Sequence, residues 1–129
     1  MSNFYPHKIV YEGELYSTSE HAYQAAKFLD PDIKQMMRES STPGQVKRLS
    51  RKYPNDIRED WNIVRIGVMY DILKIKFSDE KLRQKLLGVD EPIVEHNDWG
   101  DTFWGVCDGK GENKLGKILE RIKMEEQVF

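Results

Sequence analysis

One cysteine, Cys107, is all the chain has, so no disulfide can form within it and a cross-linked scaffold is excluded. No apolar run reaches the ~18 residues that a membrane-spanning helix needs. The opening residues MSNFYPHKIV lack a basic stretch ahead of an apolar core and lack a cleavage site. No secretion signal is read there, and the cytoplasm is the expected compartment. Histidine is scarce: His7, His21 and His96 lie far apart, without HExxH or paired-cysteine spacing. That argues against a zinc site, and no metal or cofactor is expected. A formal net charge of −2 lacks the basic excess of a general nucleic-acid coat, although it leaves room for a local basic site. Internal repeats, low-complexity runs and linkers are also missing.

What is there suits a globular protein. The 129 residues, 39% apolar and 33% charged, are enough for one domain over 1–129 with its own core. Residues 7–17 (HKIVYEGELYS) read as two short strands around a Glu12–Gly13 turn. A helix follows from Ser17, where Ser17 and Glu20 fit a capping box, and closes after Leu29 at Asp30–Pro31. DIKQMMRES predicts a second helix and TPGQVKRLSRKY a third, with Pro43 in its first turn. In REDWNIVRIGVMYDILKIKF, one row runs through Trp61, Val64, Val68, Ile72 and Ile75. A second runs through Ile66, Met69, Leu73 and Phe77. Two adjacent apolar rows predict the central buried helix. SDEKLRQKLLG predicts another, capped by Ser78 and Gly88. PIVEH and FWGVCDG read as short strands. NKLGKILERIKMEE predicts a last helix that packs through Leu115, Ile118, Leu119 and Ile122. The fold class expected is α+β, mainly helical, with a few short strands.

Several stretches carry chemistry-bearing residues. In STSEHAYQAAKF, helical spacing puts Glu20, Gln24 and Lys27 on one side, beside Tyr23. Glu20 and Lys27 are about 10 Å apart along the axis, too far to pair directly but able to bracket a small molecule. That side faces either water or a substrate. In DWGDTFWGVCDGKGENKLGK, tryptophans, aspartates and glycines crowd together. Tryptophans can stack on a flat ring, glycines let the backbone approach a ligand, and acids supply proton transfer or electrostatic help. The pattern suits the wall of a site for a flat polar ligand such as a nucleobase. The plainer alternative is a tight surface loop with Trp104 in the core.

GENKLGKI falls short of a P-loop, because Ile118 stands where the magnesium-binding hydroxyl must be. Gly109, Gly111 and Asn113 either open a helix whose N–H groups hold a phosphate or simply turn the chain. The basic run VKRLSRK is either a solvated helix face or a phosphate-reaching patch. Cys107 has no marked partner histidine for nucleophilic work, and His21 reads as a core or supporting histidine.

SNFYP, EHAYQAAKF, DW at Asp60–Trp61, KF at Lys76–Phe77, IVEHNDWGDTFWG and GKGENKLGKIL occur in this order from Ser2 to about Ile122. Together they resemble the signature of the YbiA-like (NADAR) family. The resemblance implies a compact, mainly helical α+β domain with N-glycosidase activity. The implied substrates are phosphorylated ribosylamino-pyrimidines of early riboflavin synthesis, or ADP-ribose on guanine, including nucleic-acid-linked forms. It marks Glu20 and Asp101 as the catalytic carboxylates, with the division between electrostatic stabiliser and water-activating base open. It also marks Lys27 and Asn113, with Gly111, for phosphate or ribose oxygens, and Trp61 and Trp104 as aromatic walls. No metal is implied. The family has a further strand ahead of SNFYP, whereas here Met1 directly precedes Ser2; a more open pocket that suits a larger substrate is the expectation. The alternative of another class is a non-catalytic module that binds ADP-ribose or a nucleotide.

Overall fold

The structure, a computed structural model, describes residues 5–127. Ser2, Asn3 and Phe4 of the SNFYP motif fall outside them, as does the chain start on which the expectation of an open pocket rests. The described residues form six α-helices and one two-stranded sheet, an α+β arrangement dominated by helix. The chain divides into two compact units, one over Ser2–Lys76 and one over Phe77–Phe129 with Met1.

In the first unit, β1 (Ile9–Tyr11) and β2 (Glu14–Tyr16) form an antiparallel hairpin in which Tyr11 faces Glu14. Its two-residue turn has Glu12 at φ 50° and Gly13 at φ 82°. Positive φ at both central positions matches the turn to the right-handed twist of the strands. The helices that follow are α1 (Ser19–Ala26), α2 (Pro31–Glu39), α3 (Pro43–Ser50) and α4 (Trp61–Lys76). A 3-10 turn, Pro54–Asp56, precedes α4. Pro31 and Pro43 open α2 and α3, where a missing N–H leaves no bond unmade.

The start of α1 departs from the sequence expectation. Thr18, not Ser17, is the cap: it is extended, and its Oγ1 accepts from the His21 N–H at 3.2 Å. Glu20 therefore lies inside the first turn rather than at the reciprocal position of a capping box. The helix also ends early, at Ala26. Beyond it the chain pairs with a later segment, through a bridge between Phe28 and Ile57 and an Arg58 N–H that donates to the Lys27 carbonyl at 2.8 Å.

The central helix is also not the one expected. Every residue of α1 is buried, and α1 packs against α2, α3, α4 and both strands. By contrast α4 buries Trp61, Met69, Ile72, Leu73 and Lys76, leaving Ile66 and Ile75 exposed and Ile63 85% exposed. The apolar rows of α4 are wide, but its contacts with α1 and β1 reach one stripe of them. Alanines at 22, 25 and 26 let α1 sit close among its neighbours, so a helix of low overall hydrophobicity becomes the core element.

His21 shows how that burial is satisfied. Its ring is fully buried; Nε2 donates to the Ser40 carbonyl at 2.9 Å, and Nδ1 lies 2.8 Å from Thr18 Oγ1. A carbonyl only accepts, so Nε2 carries the proton and Nδ1 accepts from the threonine hydroxyl. The ring ties the start of α1 to the end of α2 in its neutral form.

In the second unit, α5 (Glu80–Leu87) packs on α6 (Lys114–Gln127). Asp79 rather than Ser78 caps α5, its carboxylate accepting from the Leu82 N–H at 3.1 Å. Gly88 is its C-cap, and Leu115, Ile118, Leu119 and Ile122 are buried on α6. The two strands expected between α5 and α6 shrink to single bridges, His96 beside Val106 and Cys107 opposite Lys110. Side-chain amides of Asn97 and Asn113 occupy backbone groups that a longer ladder would use. No helix among the described residues is long and apolar enough to cross a membrane.

Burial holds the His21 pKa below its ordinary 6.5, and the bond to Ser40 offsets this only in part. The unfolded chain then takes up the proton first, so stability present above pH 6.5 is lost as pH falls below it. Denaturant titrations between pH 7 and 5 are expected to show this decline, and a His21→Gln variant to show a flatter one.

Candidate functional site

The side of α1 that carries Glu20, Gln24 and Lys27 does not face water. Glu20 is 6% exposed and Gln24 3%, and the Gln24 amide donates to Glu20 Oε1 at 2.7 Å. One turn separates the two residues, the spacing at which helix side chains meet. The other atom of that amide, Gln24 Oε1, is buried and accepts no hydrogen bond. A flip of the amide would turn its oxygen toward the carboxylate, so the orientation is fixed by charge.

Lys27 continues this line as the C-cap of α1, with Nζ 5.8 Å from the centroid of the Tyr23 ring. Burial lowers the Lys27 pKa; Glu20 acts to raise it, and Arg51, Lys47 and Arg65 lower it further. Tyr23 in turn meets Trp61 at the start of α4, ring centroids 5.1 Å apart and tilted by 53°. Glu20, Gln24, Lys27, Tyr23 and Trp61 thus belong to one largely buried cluster where α1 packs on α4. It combines a fixed carboxylate, a buried acceptor without a hydrogen bond, a cation and aromatic rings.

The remaining marked residues belong to the second unit, in the loop ahead of α6. Asp101 Oδ1 accepts the N–H groups of Phe103 and Trp104 at 3.0 and 2.9 Å. Its backbone is clasped by Asn97, whose Oδ1 accepts from the Asp101 N–H at 2.9 Å and whose Nδ2 donates to the Asp101 carbonyl at 2.8 Å. Trp104 is half-buried and meets Phe103 edge to face at 4.8 Å.

Asn113 sits at φ 53°; its Oδ1 accepts from the Glu95 N–H at 3.0 Å and its Nδ2 donates to the Ile93 carbonyl at 2.8 Å. Gly111 has φ 150°, and a Cβ there would overlap the Gly105 carbonyl. A Cβ on Gly105 would in turn overlap the Glu95 carbonyl. At the start of α6 the N–H groups of Lys114 and Leu115 donate to the Phe103 and Trp104 carbonyls at 3.0 and 2.9 Å. Those donors hold the loop, so the sequence-based idea of a phosphate on that helix end loses them. Asn113 and Gly111 are builders of the loop that presents Asp101 and Trp104.

Two features escaped the sequence reading. Gln24 was in view, but its role depends on the burial of α1, which helical periodicity alone does not reveal. Arg65 stands one turn after Trp61 on α4, between apolar rows whose periodicity carries no signal for a cation. Among the described residues, no group of three or more His, Cys, Asp or Glu is placed to hold a metal.

Comparison with known proteins agrees with this architecture. The NADAR domain model matches residues 1–125. A riboflavin biosynthesis protein of Vibrio vulnificus is 36% identical over 129 residues; the match covers 98% of this chain but 35% of that longer protein. N-glycosidase YbiA of Escherichia coli is 35% identical over 130 residues, covering 98% of this chain and 79% of YbiA. The NMR structure of E. coli YbiA superposes with a TM-score of 0.88 over 98% of this chain and 77% of that one. The chain belongs to the NADAR family.

Gln24→Leu removes the donor that holds the buried Glu20 carboxylate. A loss of about 1.5–3 kcal/mol in unfolding free energy is expected by denaturant titration. Gly105→Ala forces backbone apart in the loop and is expected to cost about 1–3 kcal/mol in the same measurement.

Proposed function

We propose that the protein is an N-glycosidase that hydrolyses the C1′–N bond of a phosphorylated ribosylamino-pyrimidine. The observation that carries this is the buried Glu20 carboxylate, fixed by Gln24 and flanked by Lys27, Tyr23 and Trp61. Family membership supports the reaction, since relatives of which this chain covers 79% and 83% are named N-glycosidases. The substrate class rests on relatives named riboflavin biosynthesis proteins, in Vibrio vulnificus and in maize.

Breaking the C1′–N bond leaves positive charge on the ribose as nitrogen departs with the bonding pair. A carboxylate held close to C1′ stabilises that charge more than it stabilises the neutral ground state. Water then adds to C1′, its proton passes to a carboxylate or the departing amine, and free base and ribose 5-phosphate result. Glu20 is the first carboxylate in this scheme and Asp101 the second. Lys27 draws the anionic end of the substrate toward Glu20. Trp61 and Trp104 supply flat faces for base and ribose, while Asn113 and Gly111 set the loop that carries Asp101.

ADP-ribosyl-guanine offers the same ribose C1′ and phosphate, and is the second substrate to try. Purified protein is incubated in parallel with the phosphorylated ribosylamino-pyrimidine and with an oligonucleotide bearing ADP-ribosyl-guanine, and released base is followed by mass spectrometry. Release from the pyrimidine substrate is expected. Release from the oligonucleotide alone would move the activity to ADP-ribose removal. Tight ADP-ribose binding with no release from either would mark a binding module instead.

A further inference from the structure

Helix α4 is apolar on two sides, and one of them lies outside the core. Trp61, Met69, Ile72 and Leu73 form the stripe buried where α4 packs on α1 and β1. Opposite that stripe, Ile63, Ile66, Gly67 and Tyr70 follow the i, i+3, i+4, i+7 spacing of a single helix face. Ile63 is 85% exposed and Ile66 39%; Gly67 is exposed and Tyr70 half-buried. A helix that is apolar all round is ordinarily enclosed all round.

Gly67 marks the middle of this face. Glycine inside a helix weakens it relative to alanine, and close packing is the usual reason for its presence. Packing among the described residues does not require it here, because a Cβ at Gly67 would meet nothing within 4 Å outside its own helix. Open space above a mid-helix glycine, beside exposed isoleucines, lets a second helix axis approach to the ~8 Å end of the usual range.

Charge selects the occupant. Glu59 stands exposed just ahead of α4, and Lys74 lies in its last turn on the same face as Ile63 and Tyr70. The face is therefore acidic at its start and basic at its end, and complements itself when inverted. An antiparallel second copy sets Glu59 against Lys74 twice and opposes the two helix dipoles, whereas a parallel copy sets like charges together. Lys74 also interacts within its own chain, so it contributes long-range attraction rather than a new fixed pair. Of the other nearby acids, Asp60 is bound by Arg58, and Asp71 lies about a quarter turn away from the face.

We propose that α4 pairs with the α4 of a second copy of this chain, antiparallel and crossing at Gly67, to form a weak two-fold dimer. With the axis between residues 66 and 67, Ile63 faces Tyr70 of the second copy, the two Ile66 side chains meet, and the Gly67 backbones touch. A few turns of helix bury less than the ~800 Å² per partner of a standard stable interface, so a dissociation constant on the order of 100 μM is expected. The contact of Trp61 with Tyr23 lies on the other side of α4, so the dimer does not depend on the N-glycosidase reading.

The test is sedimentation equilibrium of the full chain from about 10 μM to about 1 mM. The mass is expected to rise from 15.2 kDa toward twice that value. Gly67→Gln, which fills the crossing with a good helix former, and Ile63→Gln are each expected to weaken pairing ~10-fold or more, with no drop in the melting temperature of the monomer. Glu59→Lys weakens it as well, and Glu59→Lys combined with Lys74→Glu restores it. A chain that stays monomeric throughout, or a dimer indifferent to Gly67→Gln and Ile63→Gln, would overturn the proposal. So would a double variant as weak as Glu59→Lys alone, because only an antiparallel pair of α4 helices makes the two charges reciprocal.

Discussion

The hydrogen bond from Gln24 to Glu20 is the constraint on which the first unit turns. Removing a carboxylate from water costs several kcal/mol, and an isolated one would take up a proton rather than stay buried as a charge. Here the amide one helical turn away gives Glu20 a donor of fixed orientation, and the cation of Lys27 lies further along the same helix. With the carboxylate given that donor, α1 is buried against α2, α3, α4 and the hairpin, at the cost of one buried acceptor, Gln24 Oε1, left without a hydrogen bond. The neighbours then inherit their positions from α1: α2 is tied to it through His21 and Ser40, α4 through the contact of Tyr23 with Trp61.

This also explains which parts of the fold were legible in the sequence. Elements whose apolar residues face one side were read well. The hairpin turn at Glu12–Gly13, the proline that opens α3, and the α6 stripe from Leu115 to Ile122 all stand where expected, whereas Pro31, read as closing the first helix, opens α2. Periodicity failed where a helix is buried all round. α1 has polar residues at four of its eight buried positions, Ser19, Glu20, His21 and Gln24, so its pattern resembles an amphipathic surface helix, whereas α4 is richer in apolar residues and reads as the central one. Caps slipped by one residue at both Thr18 and Asp79, because adjacent Ser–Thr and Ser–Asp pairs offer two acceptors and only backbone geometry chooses between them.

The candidate site was legible in its residue types and less so in their tasks. Glu20, Lys27 and Trp61 do lie in one largely buried cluster with Tyr23 and Gln24. Asp101, Trp104, Asn113 and Gly111 do share a loop. Yet Asn113 spends its amide on the backbone at Ile93 and Glu95, and the glycines allow chain segments to touch rather than a phosphate to approach. The basic run of α3, read as either a solvated face or a phosphate-reaching patch, has Arg48, Arg51 and Lys52 exposed and Lys47 half-buried.

A buried carboxylate is poor material for stability and good material for stabilising a developing ribosyl cation, so the account stands or falls on what Glu20 does during turnover. The direct measurement is turnover and ribose 5-phosphate affinity of Glu20→Gln, a replacement that keeps an oxygen for Gln24 to bond. The account predicts a turnover lowered by about 10²-fold or more with affinity and folding unchanged. A Glu20→Gln protein that hydrolyses the C1′–N bond within about threefold of the normal rate would contradict it.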